Sequence, residues 1–212
     1  MWNLLVEPEG HSGAENMARD EALLADAGRT GAAFLRLYRF DPPCLSFGRN
    51  DSAVEHGGVA TVRRPTGGRA VWHEHEVTYA VAAPLSTFGR LRDAYRAIHG
   101  RLAAALRSLG ADAVLADDRP TIRLSDRPAS CFAATVGGEV LVNGRKLIGS
   151  AQVRRGAAFL QHGSILLDGS NDTPNATTLR QVLGRRVTFE EVAAAIVAAW
   201  GESGAASRGV KC

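Results

Sequence analysis

Three short segments of the 212-residue chain carry residue types that could do chemistry together. The first is Ser130-Cys131-Phe132, at the end of a polar loop that contains Pro128. A thiolate is a strong nucleophile, but a free cysteine with a pKa of about 8.5 is only ~3% ionised at pH 7. A lone cysteine also has an ordinary reading as a small buried apolar residue. The second segment runs Asn143-Gly-Arg-Lys-Leu-Ile-Gly-Ser-Ala-Gln152 and places Lys146 on a strand just past a tight turn. An ammonium about 4 Å from a thiol contributes up to ~4 kcal/mol at an effective dielectric near 20. Lowering the thiol pKa by one unit needs only ~1.4 kcal/mol of that. Taken alone, such a lysine reads as a solvated surface residue. The third segment is Arg63-Arg-Pro-Thr-Gly-Gly-Arg-Ala-Val-Trp-His73, continued by Glu74-His-Glu-Val-Thr-Tyr79. Two glycines let a backbone approach a ligand and leave N–H groups for oxygen anions. Flanking arginines add charge-assisted hydrogen bonds. A plain hairpin is the competing interpretation.

The elements that must position these residues follow from local pattern. Residues 2–7 read as a strand. Ser12 and Glu15 form a capping box that opens an amphipathic helix, with Gly28 as its expected stop. Residues 33–40 and 44–48 read as strands separated by Pro42-Pro43, and 59–63 and 69–82 continue in strand character around Thr66-Gly67-Gly68. Leu91, Tyr95, Ile98, Leu102, Leu106 and Leu109 recur at helical spacing up to Gly110 and predict the longest helix of the chain. Asn143-Gly144 between two apolar triplets predicts a two-residue hairpin turn. Short strands are expected over 151–153, 157–160 and 164–167. Thr188 and Glu191 make a second capping box, opening a helix that buries Val192, Ile196 and Ala199. The class is α+β, as a single domain over 1–200 with a flexible tail over 201–212.

Bulk properties narrow the function. A net charge of +3, with arginines in doublets and no zinc-finger or helix-turn-helix signature, argues against nucleic acid as the partner. It suits docking of an acidic protein. No apolar run reaches the roughly 18 residues of a membrane span, and the N-terminus lacks a secretory pattern. Three scattered cysteines make neither a disulfide framework nor a zinc site, and the expectation is a cytoplasmic protein. Cys44 reads as core and Cys212 as an inert terminal thiol.

Taken in order, RRPTGGRAVWHEHEVTY, SCF, NGRKLIGSAQ and LQHGSILLD closely resemble the lipoate–protein ligase and octanoyltransferase family. GAENMARDEALL and LRLYRFDPPCLSFGR upstream fit it too, so the resemblance covers roughly residues 12 to 168. It is nearest to the cysteine-dependent branch that acts on octanoyl-acyl carrier protein. The resemblance implies a biotin/lipoate protein ligase-type catalytic domain, a mixed β-sheet with packed helices and an acyl tunnel beside the glycine-rich segment. It implies substrate-binding roles for Arg64, Gly67, Gly68, Arg69 and His73, and for Gly149, Ser150 and Ala151 of the second motif. Lys146 matches the family's functional lysine and Cys131 the acyl-thioester nucleophile. The chain departs from the ligases in reading His73-Glu-His-Glu after the glycines, and the expectation is that it lacks their accessory domain after LQHGSILLD.

The resemblance further implies an octanoyl donor on acyl carrier protein and an acceptor lysine on a lipoyl domain or glycine-cleavage H protein. A thioester is already activated, so neither nucleotide, metal nor other cofactor is expected, whereas a ligase would need ATP. Lys146 and His73 are both candidates for the base that deprotonates the acceptor, and His162 reads as structural. Three alternatives stay open: an amidotransferase between carrier proteins, an ATP-dependent ligase, and a non-catalytic acyl- or carrier-binding module.

Overall fold

The computed structural model describes residues 1–51, 58–117, 137–169 and 175–205. Cys131 and Cys212 lie outside the described residues. The chain opens with β1 (Trp2–His11), α1 (Gly13–Thr30), β2 (Ala33–Phe40), β3 (Cys44–Phe47), β4 (Ala60–Arg63), β5 (Val71–His73) and β6 (Glu76–Pro84). It continues through α2 (Leu91–Ser108), β7 (Ala113–Leu115), β8 (Val140–Val142), β9 (Arg145–Lys146), β10 (Ile148–Arg155) and β11 (Ala158–Leu166). The short α3 (Leu179–Leu183) and the long α4 (Phe189–Ala205) follow.

Five strands form the central sheet in the order β1-β2-β6-β11-β10. β1 and β2 pair in parallel across α1, and the other neighbours are antiparallel, so the sheet is mixed as expected. Two three-stranded sheets, β4-β3-β5 and β7-β8-β9, flank it. Strand alternation sorts side chains onto two faces. Leu35, Leu37, Val77, Tyr79, Val81, Phe159 and Ile165 share one core with α2 and α4. Tyr38, Phe40, Ala80, Ala82 and Leu160 share the other with Met17, Leu24 and Ala27 of α1. Each fully buried aliphatic or aromatic side chain contributes about 1.5–3 kcal/mol, which fixes the register of the sheet.

Both capping boxes form. Ser12 Oγ accepts from the Glu15 backbone while the Glu15 carboxylate takes the Ser12 N–H. Thr188 and Glu191 do the same before α4. Asn143 and Gly144 both have positive φ, 51° and 74°, as a type I′ turn requires.

Several boundaries differ from the pattern reading. α1 runs past Gly28 and ends at Gly31, which is left-handed at φ 75°; Gly28 packs near Ala158 within the helix. α2 is no longer than α1, at 18 residues each. The short strands expected over 151–167 are two long ones joined at residues 156–157, because β11 is sandwiched between β6 and β10 along its whole length. α4 extends to Ala205, past the expected start of the tail. Ala199 is only half-buried, and Trp200 takes the core position instead.

Candidate active site

The glycine-rich turn is held from inside by Arg64. This side chain is 6% exposed, and its guanidinium donates to the carbonyls of Ser46 (2.8 Å), Gly67 (3.2 Å) and Arg69 (2.8 Å), and to Ser46 Oγ (2.7 Å). Three of these four bonds satisfy main-chain acceptors, so much of the arginine's capacity goes into shaping the turn. Gly68 sits at φ 97°, where a side chain is strained. Gly48 packs against the Gly68 carbonyl so closely that a Cβ there would collide with it. A Cβ on Gly67, by contrast, would meet nothing within 4 Å.

Two carboxylate–imidazole–hydroxyl chains brace this region. Glu76 Oε1 lies 2.6 Å from His73 Nδ1, and His73 Nε2 lies 2.6 Å from Ser46 Oγ. A carboxylate accepts, so Nδ1 carries the proton and Nε2 accepts the Ser46 O–H, which leaves Ser46 Oγ to accept from Arg64. The His73 ring stacks on Phe40 with centroids 4.0 Å apart. In the second chain Asp20 Oδ2 is 2.9 Å from His162 Nδ1, and His162 Nε2 is 2.7 Å from Thr66 Oγ1. Asp20 is fully buried, accepts the Tyr38 hydroxyl at 2.8 Å and pairs with Arg36 at 2.9 Å.

These residues border a narrow pocket. Met17, Tyr38, Phe40 and Val71 give it apolar walls. Of the sequence-predicted residues, Arg64, His73, Gly149, Ser150 and Ala151 line it. Gly67, Gly68 and Arg69 instead line an adjoining recess with Asn50 and Asp51. The two are close neighbours, since a Cβ on Gly68 would come within 3.9 Å of the Ala151 Cβ. His162, read from sequence as structural, borders the pocket and also holds Thr66, so it does both.

Behind Ser150 lies a third imidazole. His99 Nδ1 donates to the Gly138 carbonyl at 2.7 Å, which leaves Nε2 to accept from Ser150 Oγ at 2.8 Å. Burial pushes the His99 pKa down to about 4, so the ring is neutral near pH 7, and the nearby Lys146 charge acts in the same direction. Tyr79 OH bonds Ser150 at 2.7 Å and accepts from Gln161 at 2.8 Å. Burial raises the Tyr79 phenol far above its ordinary value, so it stays protonated.

Lys146 is not a surface lysine. It is 1% exposed and its Nζ lies 2.6 Å from Glu139 Oε1, itself buried. Cys44 is core, as expected, and burial pushes its thiol up to about 11. The pattern reading missed Asp20, Ser46, Glu76 and Glu139 as partners, and also Gly163, whose missing Cβ makes room for the Gly149 carbonyl and Ser150 Oγ. Glu76 stood inside a quoted motif, but nothing local marks Asp20 as the partner of His162.

Among solved structures, an archaeal bipartite lipoate protein ligase from Thermoplasma acidophilum superposes with a TM-score of 0.71 at 21% identity, covering 95% of this chain and 82% of that one. The octanoyltransferase LipM of Carboxydothermus hydrogenoformans is 45% identical over 168 residues, which is 74% of this chain and 61% of the relative. LipM of Symbiobacterium thermophilum is 37% identical over 234 aligned positions, covering 93% of this chain and 84% of the relative. The chain thus spans about three fifths of the length of some of its curated relatives and more than four fifths of others. The lipoyl protein ligase A/B catalytic domain matches residues 12–175, and the chain belongs to that family.

Proposed function

We propose that the chain is the catalytic domain of an octanoyltransferase of lipoate biosynthesis, taking octanoyl from acyl carrier protein to a lysine of a lipoyl domain or H protein. The observation that carries this is the 35–45% identity to proteins named octanoyltransferase. An apolar-walled pocket beside the glycine-rich turn supports it.

In the proposed reaction the Cys131 thiolate attacks the octanoyl thioester carbonyl and expels the carrier as a thiolate, which takes its proton from solvent. Cys131 then holds the octanoyl group until the acceptor amine displaces it. Backbone N–H groups near the nucleophile hold the tetrahedral oxyanion. Lys146 supplies the positive end of a buried ion pair. Because Glu139 offsets part of its field, its pull on a thiolate is smaller than the ~4 kcal/mol of a bare ammonium at 4 Å. His99, neutral and bonded to Ser150, keeps the β10 wall of the pocket in one arrangement.

The test is intact-mass analysis after incubation with octanoyl-acyl carrier protein and no ATP. A gain of one octanoyl group that hydroxylamine removes, and that Cys131→Ser abolishes, is the expected result. Cys44 does not compete, because a thiol near 11 is only about 0.1% thiolate at pH 8. No mass gain without ATP, together with ATP-dependent lipoylation, would replace this reading with the ligase one, which the likeness to a lipoate protein ligase fold favours. No helix among the described residues is long and apolar enough to cross a membrane, which suits carriers met in solution. Placement in the cytoplasm belongs to the same proposal.

A further inference from the structure

One buried polar atom is left over from the networks around the pocket. Glu76 is 3% exposed, and both of its hydrogen bonds fall on one oxygen. His73 Nδ1 and Thr78 Oγ1 each lie 2.6 Å from Oε1. Oε2 is buried and has no hydrogen-bond partner. A buried carboxylate oxygen without a donor is costly, so its persistence calls for an occupant.

Glu76 lines a second, open cleft next to the acyl pocket. His73, bonded to its other oxygen, lines the pocket itself. The Glu76–His73 pair therefore reaches from the cleft to the pocket. Register places this point at the lysine end of the sheet. Glu76 opposes Leu166 on β11, and Leu166 N–H donates to the Leu147 carbonyl, the residue after Lys146. Asp168 and Glu190 join Glu76 on the cleft. Of the three arginines there, Arg180 is engaged with Asp168 at 2.7 Å, and neither Arg39 nor Arg186 bonds Oε2.

We infer that Glu76 Oε2 receives the amine of the acceptor lysine, which enters through this cleft. The inference rests on the transferase reading for the identity of the acyl group that the amine attacks. A primary ammonium carries three donors on a flexible four-carbon stem, and so brings to an enclosed carboxylate oxygen the hydrogen bond it lacks. The ammonium gives one proton to Oε2, from which it passes to solvent. The freed nitrogen lone pair attacks the thioester carbonyl carbon, forming the C–N bond. The C–S bond breaks, and sulfur leaves with the electron pair and takes the second nitrogen proton. One proton stays on the amide.

The experiment separates the two half-reactions in the full chain, using octanoyl-acyl carrier protein as donor and an isolated lipoyl domain as acceptor. Glu76→Gln keeps an oxygen for His73 and Thr78 but puts an N–H donor where the amine would dock. Acyl-enzyme formation within about threefold of wild type, with transfer to the lipoyl domain at least 100-fold slower, is the expected split. Glu76→Asp, which keeps the charge but withdraws it by one methylene, should recover part of the second step. Transfer by Glu76→Gln at the wild-type rate would overturn the inference. Equal loss of both half-reactions in both variants would also overturn it, because Glu76 would then serve only to hold His73. If the wild type forms no acyl-enzyme but lipoylates with ATP, the transferase reading falls on its own. The same split, run with ATP and octanoate, then tests Glu76 against an acyl-adenylate.

Discussion

Replacing Lys146 by Met should damage the fold and the chemistry by separable routes. The ammonium and the Glu139 carboxylate lie 2.6 Å apart with side chains about 2% exposed. Removing one partner of such a pair leaves a buried charge and costs about 3–5 kcal/mol. In a domain of this size each kcal/mol moves the melting temperature by roughly 2–4 °C, so Lys146→Met should melt roughly 6–20 °C below wild type. Taking out the Glu139 charge as well, in Lys146→Met/Glu139→Leu, exchanges an ion pair for apolar volume. That exchange is often neutral or favourable, so the double variant should recover to within a few degrees. It should not recover activity if the ammonium supports Cys131. Urea unfolding of the three proteins measures the first effect, and iodoacetamide labelling of Cys131 across pH measures the second. A single variant within about 1 kcal/mol of wild type, or a double variant no more stable than the single, would refute the buried-pair reasoning. A double variant that labels with the wild-type midpoint would show that Lys146 does not activate the thiol.

His99 makes stability depend on pH in a defined direction. Its folded-state pKa of about 4 lies below its ordinary 6.5, so as pH falls the unfolded chain takes up the proton first. The contribution is complete above pH 6.5 and drains away down to pH 4, a loss of about 3 kcal/mol; urea unfolding at pH 7 and 4.5 should show it, with a flatter dependence in His99→Gln. An unchanged slope in that variant would place the titration elsewhere. At the turn, Gly68→Val should abolish octanoyl transfer and lower stability by a few kcal/mol, because a β-branched residue at φ 97° is strained and its Cβ would lie 3.3 Å from Arg64 Nη2. Gly67→Ala should fold like wild type, since its Cβ meets nothing within 4 Å. Thermal melts with octanoyl-transfer assays on both variants check this, and equal behaviour would contradict it.

What the sequence determined by itself is whatever the chain decides within a few residues. Ser12 with Glu15, Thr188 with Glu191 and Asn143-Gly144 each satisfy or turn a backbone locally, and each formed as read. The leucine spacing along α2 carried over for the same reason. The order of the motifs carried the family. Gly28 misled because a glycine can sit inside a helix as well as end it, and only the left-handed conformation at Gly31 shows which one stops α1. The tertiary structure alone decided who meets whom. Asp20 and His162 stand 142 positions apart and meet because α1 packs over the face of the sheet that carries His162. Lys146 looks like a solvated lysine in the sequence, yet it finds Glu139 because the Asn143-Gly144 turn brings β8 and β9 together, burying both ends of the pair. Glu76 meets His73 and Thr78 within three residues of itself, but only the packing that buries it leaves its other oxygen without a donor. Hydrogen bonds between distant side chains depend on strand register and helix packing, which the whole core fixes at once and no short window contains.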